Sequence, residues 1–376
     1  MICFDHAAAA PLLPQLRNSM AEIYEQFAGN PEAAHSTGYN LRKEVSRIGE
    51  ELFKILLPNA LHGKRAVFYA PDATSLINAV GILLADKSAA VAGSALDHAA
   101  TRAMQRRCFG KYLEIKLTSG GRMIPGTLAD APAARLITLN HVQSEIGVRQ
   151  DLAELMPQLR SAAPEAVILL DAVQSAAYYA YPEHTVYPDL LLISGEKLGA
   201  PGGAALLACG SRCKFFSDGF ERLRKVEHQI SKVCVPQAFL LLEALKIAVA
   251  RRQDAGKNLA EINRFLRNKL HDRLMPNGRK IKLTVSAMEG ADHILHLQLP
   301  GYQSGVLVRM FAAENIMLSA GSACESETPE PSRILTSIGC SRDDAYSGLR
   351  LSFAAENTLQ EAAVFCTVLD KILKNY

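Results

Sequence analysis

Hydrophobic positions along the chain change their spacing as the sequence proceeds. Between residues 41 and 57, Leu41, Val45, Ile48, Leu52 and Ile55 recur at steps of three and four. That spacing places them on one face of an amphipathic helix. Farther on, apolar residues come in short continuous runs at 66–69, 136–139, 167–170 and 190–193. Runs without polar alternation fit strands covered on both faces, as in a parallel sheet flanked by helices. After the first run, Pro71-Asp72-Ala73-Thr74 reads as a turn and an apolar helix starts at Ser75. Strands alternating with helices predict an α/β fold with a mostly parallel, doubly wound sheet.

After residue 235 the pattern is different. Residues 235–251 and 258–274 read as two long helices. Residues 293–299, His-Ile-Leu-His-Leu-Gln-Leu, mix polar and apolar positions in an alternating pattern and predict a half-exposed strand. Residues 349–353 read as another strand and 358–373 as a closing helix. These elements describe a smaller α+β unit. The predicted division is a large α/β domain over 12–250 and a small domain built from 1–11 and 251–376.

Composition narrows the functional classes. The chain has 376 residues, 49% hydrophobic and 21% charged, with a formal net charge of +3. That length suits about two domains, and the balance gives no reason to expect nucleic acid or an anionic membrane as partner. The basic cluster at 222–225 reads as a solvated helix face. The N-terminus lacks a basic start followed by an apolar run, and the apolar run at 79–85 is stopped by Asp86 and Lys87. The expectation is a cytoplasmic protein. Eight cysteines are spread over the chain and should be reduced there. Cys209 and Cys213 have no second pair to complete a metal site, so no metal is expected.

Ligands of an open parallel sheet bind at the carboxyl ends of its strands. There the sequence offers Asp171, then Ser194-Gly195-Glu196-Lys197, then Asn140-His141-Val142-Gln143, and the turn before Ala73-Thr74. Together they have a chemical meaning. A desolvated lysine forms Schiff bases, an aspartate can hold a pyridine ring protonated, and a helix N-terminus with a hydroxyl residue suits a phosphate. Each residue alone also has an ordinary reading: Lys197 as a solvated loop lysine, Asp171 as a helix cap.

The surrounding strings carry a resemblance. Asp171-Ala172-Val173-Gln174-Ser175 and Ser194-Gly195-Glu196-Lys197 are similar to the Asp-Ala-x-Gln-Ser and Ser-Gly-His-Lys motifs of class V, fold-type I enzymes that use pyridoxal 5′-phosphate (PLP). Phe4-Asp5-His6-Ala7-Ala8, Gly29-Asn30-Pro31 with His35 and Gly38, Asp97-His98-Ala99-Ala100, and the segment from His141 to Gly147 follow in the same order. Ser319-Ala320-Gly321-Ser322-Ala323-Cys324, Glu330-Pro331-Ser332 and the segment from Gly348 to Phe353 resemble NifS/IscS-like cysteine desulfurases in particular. The resemblance spans essentially the whole chain.

What it implies is specific. Lys197 holds PLP, Asp171 supports the protonated ring nitrogen, Gln174 lies near the ring hydroxyl, and His98 stacks on the ring and shuttles a proton. Ala73, Thr74 and Ser194 belong to the phosphate end. Arg350 binds the carboxylate of L-cysteine, and Cys324 takes the sulfur as a persulfide for an acceptor protein. A homodimer is implied as well. Four positions depart from the family pattern, all around the cofactor. Glu196 stands where the family has a phosphate-binding histidine, Asp72 replaces a glycine, Ser144 replaces an asparagine, and Lys232 falls on a threonine supplied by the partner subunit. A Glu196–Lys232 pair across the dimer would offset the added negative charge. The other readings are a relative that has lost normal PLP binding and serves as a scaffold or partner protein, and a selenocysteine lyase or other class V enzyme.

Overall fold

The computed structural model describes residues 1–58, 63–128, 134–182, 186–321 and 331–376. The chain opens with β1 (Ile2–Cys3), α1 (Pro14–Gln26) and α2 (Ser36–Leu56). Pro14 starts α1, where its missing N–H costs nothing. Then follow β2 (Arg65–Ala70), α3 (Ala73–Leu84), β3 (Asp86–Gly93), α4 (Ala99–Cys108), β4 (Phe109–Glu114) and β5 (Ala134–Asn140). After α5 (Leu152–Ala162) come β6 (Val167–Asp171), β7 (Leu190–Ser194), β8 (Ala204–Cys209) and α6 (Cys213–Lys225).

Seven of these strands form one sheet in the order β2-β8-β7-β6-β5-β3-β4. Pairings from β4 through β7 are parallel, while β8 is antiparallel to both β7 and β2. The four apolar runs are β2, β5, β6 and β7. Leu191 and Ile193 pack on one side of the sheet with α2 residues such as Ile48 and Leu52. Leu190 and Leu192 pack on the other side with Leu76, Ile77 and Val80 of α3. Both faces are covered, which is why these strands carry no polar alternation.

The remaining elements are α7 (Val235–Leu270), β9 (Lys282–Leu283), β10 (Ile294–Gln298), α8 (Ser304–Ala313), β11 (Ile316–Met317), α9 (Arg333–Ser337), α10 (Arg342–Ala345), β12 (Gly348–Ser352) and α11 (Leu359–Asn375). They surround a separate core containing Phe4, Leu266, Leu297, Phe311, Leu351 and Phe365. Thr358 caps α11 reciprocally with Glu361, a capping box that fixes where the helix starts.

Two expectations are corrected. The two helices expected at 235–251 and 258–274 are one helix of 36 residues. Its first half packs on the large core through Leu240, Leu241 and Leu245, and its second half on the other core through Leu259, Ile262 and Leu266. The polar stretch between them is where the helix crosses from one core to the other, and Gly256 alone costs only about 1 kcal/mol in a helix. The strand expected to be half-exposed is instead the middle strand of the β12-β10-β9 sheet, and all five residues of β10 are buried. Its polar side chains bond inside: Thr284 Oγ1 lies 2.7 Å from His296 Nδ1 and accepts from Gln298 Nε2 at 2.9 Å. Alternation there marks polar partners within the fold.

Candidate active site

At the carboxyl ends of the parallel strands, register sets the chemistry in a row. Asn140 of β5 pairs with Asp171 of β6, and Asp171 with Leu192 of β7. Asp171 Oδ1 accepts from the Val173 amide at 2.9 Å. Burial pushes the Asp171 carboxyl above the usual aspartate range, opposed by the Val173 amide and by His98. Asp171 and His98 line one small pocket together with Asp97, Thr138, Asn140 and Ile77. His98 caps α4, its Nδ1 accepting from the Ala100 amide at 3.2 Å. An imidazole that accepts at Nδ1 carries its proton on Nε2, so Nε2 is the atom able to donate.

Asp97 had no assigned role in the sequence, and the structure gives it one. Its Oδ2 accepts from Thr138 Oγ1 at 2.7 Å and from Gln105 Nε2 at 2.8 Å. Burial raises its pKa to about 7 against those two hydrogen bonds. Gly93 makes room for it: a Cβ there would stand 2.3 Å from Asp97 Oδ2. The signal was available only as Asp97 preceding His98, without the fold that brings Gln105 and Thr138 to it.

The N-terminal segment supplies a further wall. Lys197 Nζ donates to the Ala8 carbonyl, and Gln174 Nε2 donates to the Ala7 carbonyl at 2.9 Å. Arg350, 2% exposed, donates through Nη2 to Asp5 Oδ1 at 2.7 Å and through Nη1 to the Ser144 carbonyl at 3.0 Å. Its Nε is buried without a partner among the described residues. Asp5 also accepts from Ser319 Oγ at 2.7 Å. Segment Asp5–Ala8 thus gathers Lys197, Gln174 and Arg350, three residues from distant parts of the chain. Ser144 contributes its backbone carbonyl.

The other end of the site is the start of α3. Ala73 and Thr74 are its first residues, and Asp72 is its cap: Asp72 Oδ1 accepts from the Ser75 amide at 2.7 Å, and its carboxylate also accepts from Ser75 Oγ. Ser194 ends β7 in register with Ala204 and, through it, with Ala70 just before α3. Its hydroxyl is buried with no partner among the described residues. Gly195 is required by close approach, since a Cβ there would meet the Gly202 carbonyl at 2.4 Å. Glu196 is 52% exposed, with its carboxylate 4.0 Å from Lys197 Nζ. Lys232 lines a pocket next to the start of α3, with Tyr69, Pro71, Gly203 and Gln237. Within one chain Glu196 therefore faces Lys197, and the Glu196–Lys232 pair expected across a dimer is not formed inside the protomer.

The ring-binding set fits PLP. Asp171 is a half-buried carboxylate whose pKa is raised, suited to a cationic ring nitrogen, and Lys197 and Gln174 both bond the Ala7–Ala8 backbone. The phosphate end fits less well, because a carboxylate already holds an amide of the helix start.

Cys324 lies outside the described residues. The described residues on either side of it converge on Glu145, which is 1% exposed. Ser332 Oγ donates to Glu145 Oε1, and a Cβ on Gly321 would lie 3.4 Å from the same oxygen. Ser319, two residues before Gly321, pairs with Arg350 through both backbone bonds. Among the described residues, no group of three or more His, Cys, Asp or Glu is arranged to hold a metal ion.

The chain is similar to known proteins over almost its whole length. The cysteine desulfurase IscS of Azotobacter vinelandii (strain DJ) is 26% identical over 384 residues, covering 96% of this chain and 89% of that protein. The mitochondrial cysteine desulfurase of Drosophila melanogaster is 24% identical over 368 residues, covering 95% of this chain and 77% of that protein. A NifS-like protein from Rickettsia africae superposes with a TM-score of 0.80 at 19% identity, over 100% of this chain and 99% of that one. This supports the fold-type I α/β architecture. Residues 2–365 match the family model of the class-V aminotransferases, and the chain belongs to that family of PLP-dependent enzymes.

Proposed function

We propose that this protein is a cysteine desulfurase: it takes L-cysteine, releases alanine, and leaves the sulfur as a persulfide on Cys324 for transfer to an acceptor. The observation that carries this reading is the meeting of Lys197, Gln174 and Arg350 on segment Asp5–Ala8, beside the pocket shared by Asp171 and His98. PLP, when bound, supplies an electron sink that weakens bonds to the α and β carbons of an amino acid.

The chain's own groups account for the rest. Lys197 is the amine that holds the cofactor, and its half-buried position beside the Ala8 carbonyl orients it. Asp171 would meet the ring nitrogen, and a cation there would lower its raised pKa and keep it ionised. Gln174 would meet the ring hydroxyl, and Ser144, Thr74, Ala73 and Ser194 would complete the surroundings. His98 moves a proton through Nε2. Arg350 takes the substrate carboxylate through Nε and Nη2, a bidentate fork in which the incoming carboxylate replaces Asp5. The Cys324 thiolate attacks the substrate sulfur; the carbon–sulfur bond breaks, its electrons stay with the carbon that becomes alanine, and the sulfur remains on Cys324.

The division into a large unit of residues 12–250 and a small one of 1–11 and 251–376 is part of this reading. So are a homodimer, a cytoplasmic location and a protein sulfur acceptor, one class of which is the iron–sulfur cluster assembly scaffold. No helix among the described residues is long and apolar enough to cross a membrane. The test is a visible spectrum of the purified protein with added PLP, then with L-cysteine. A chromophore that shifts with cysteine and is lost in Lys197→Ala supports the proposal. A protein that stays colourless with excess PLP refutes it and favours a non-catalytic scaffold.

A further inference from the structure

Three features bear on the phosphate end of the site. Asp72 spends its carboxylate on the helix's own N-terminus, accepting from the Ser75 amide at 2.7 Å and from the Ser75 hydroxyl. The Ser194 hydroxyl, 2% exposed, is left without a partner among the described residues. It lies on the sheet face that α3 covers, at the end where α3 begins: Leu190 and Leu192, four and two residues earlier on β7, pack with Leu76 and Ile77 of α3. Glu196, on the turn that follows Ser194, adds a second carboxylate 4.0 Å from Lys197 Nζ. Its neighbour Gly195 donates to the Gly203 carbonyl, and Gly203 in turn donates to the Pro71 carbonyl beside Asp72.

The N-terminus of a helix attracts anions through its unpaired amides and its dipole. Here the helix supplies its own anion. A phosphate carries about two negative charges near neutral pH, and the exposed carboxylate of Asp72 would repel it at close range. A neutral hydroxymethyl group meets no such repulsion. It can donate its O–H to a carboxylate and accept from a serine hydroxyl, and Asp72 and Ser194 provide them.

We infer that Asp72, aided by Glu196, is a cofactor-specificity determinant that lowers the site's demand for a 5′-phosphate. The site holds its cofactor mainly through Lys197 and the ring contacts and accepts unphosphorylated pyridoxal nearly as well as PLP. This rests on the reading that Lys197 carries a pyridoxal cofactor.

The experiment measures dissociation constants for PLP and for pyridoxal by equilibrium dialysis on the wild-type protein, Asp72→Gly and Glu196→His. Covalent attachment at Lys197 is checked by borohydride reduction and peptide mass. Glycine is a tolerated N-cap, so Asp72→Gly keeps α3, and Glu196→His changes an exposed side chain. The expected result is that each variant shifts preference towards PLP, Asp72→Gly by at least about tenfold, equivalent to ~1.4 kcal/mol. Pyridoxal still attaches to Lys197 in all three proteins. Unchanged preference in both variants, with both compounds attached at Lys197, overturns the inference and leaves the proposed function standing. Attachment of neither compound in any of the three proteins overturns both.

Discussion

Asp97 offers a prediction whose size follows from its surroundings. In the unfolded chain it titrates near the ordinary value of 3.8, whereas burial raises it to about 7 in the folded protein. Below pH ~4 both states hold the proton and Asp97 contributes no pH dependence. Between about 4 and 7 the unfolded chain has lost its proton while the folded protein still keeps it. The folded state then binds more protons, so stability falls as pH rises. A tenfold difference in proton affinity is worth about 1.36 kcal/mol, so the loss over this window is on the order of 4 kcal/mol. Asp97→Asn removes the titration while keeping an oxygen able to accept from Thr138 and Gln105. Urea unfolding of the cofactor-free wild type and variant, followed from pH 4 to 8, measures the difference. The variant should gain on the wild type steadily between pH 4 and 7 and hold that gain above it. Parallel curves would refute the account of Asp97 as a carboxyl kept neutral by burial.

Arg350→Lys keeps the charge but loses the planar fork. KM for L-cysteine should rise about 10- to 100-fold, as expected for a lost charge-assisted hydrogen bond, while the visible absorbance of the PLP-loaded protein stays the same; an unchanged KM removes Arg350 from carboxylate binding. Glu145→Ala releases Ser332, which caps α9 and flanks the segment bearing Cys324. With PLP affinity unchanged, kcat should fall by roughly 10- to 100-fold, the scale of a reacting group misplaced by about 1 Å; full activity would show that Glu145 does not position that segment.

The parts of the fold that could be read from sequence are those set by local pattern. Apolar runs marked four strands of the large sheet, β2, β5, β6 and β7, and strand ends then pointed to Asp171 and Lys197, whereas β3, β4 and β8 went unread. What escaped depended on distant partners. Asp5–Ala8 reaches Lys197, Gln174 and Arg350 across 167 to 345 residues of chain, and no local periodicity reports such contacts. Polar residues in β10 looked solvent-facing because alternation shows that two faces differ, without showing what covers them. The polar stretch inside α7 looked like a break because crossing between two cores leaves a helix temporarily without an apolar face. Asp72 was noticed as a departure from a motif, but only the geometry of α3 shows that its carboxylate takes the helix's own amide.

The central claim is that sulfur from L-cysteine passes to Cys324 by way of a cofactor held on Lys197. Its most direct measurement is the mass of the Cys324 peptide after the PLP-loaded protein meets L-cysteine without any acceptor, with alanine assayed in parallel. The account predicts a peptide heavier by one sulfur atom and matching alanine in the wild type, and neither in Lys197→Ala. Alanine formed with Cys324 unmodified, or with Cys324 replaced by alanine at undiminished rate, would contradict it.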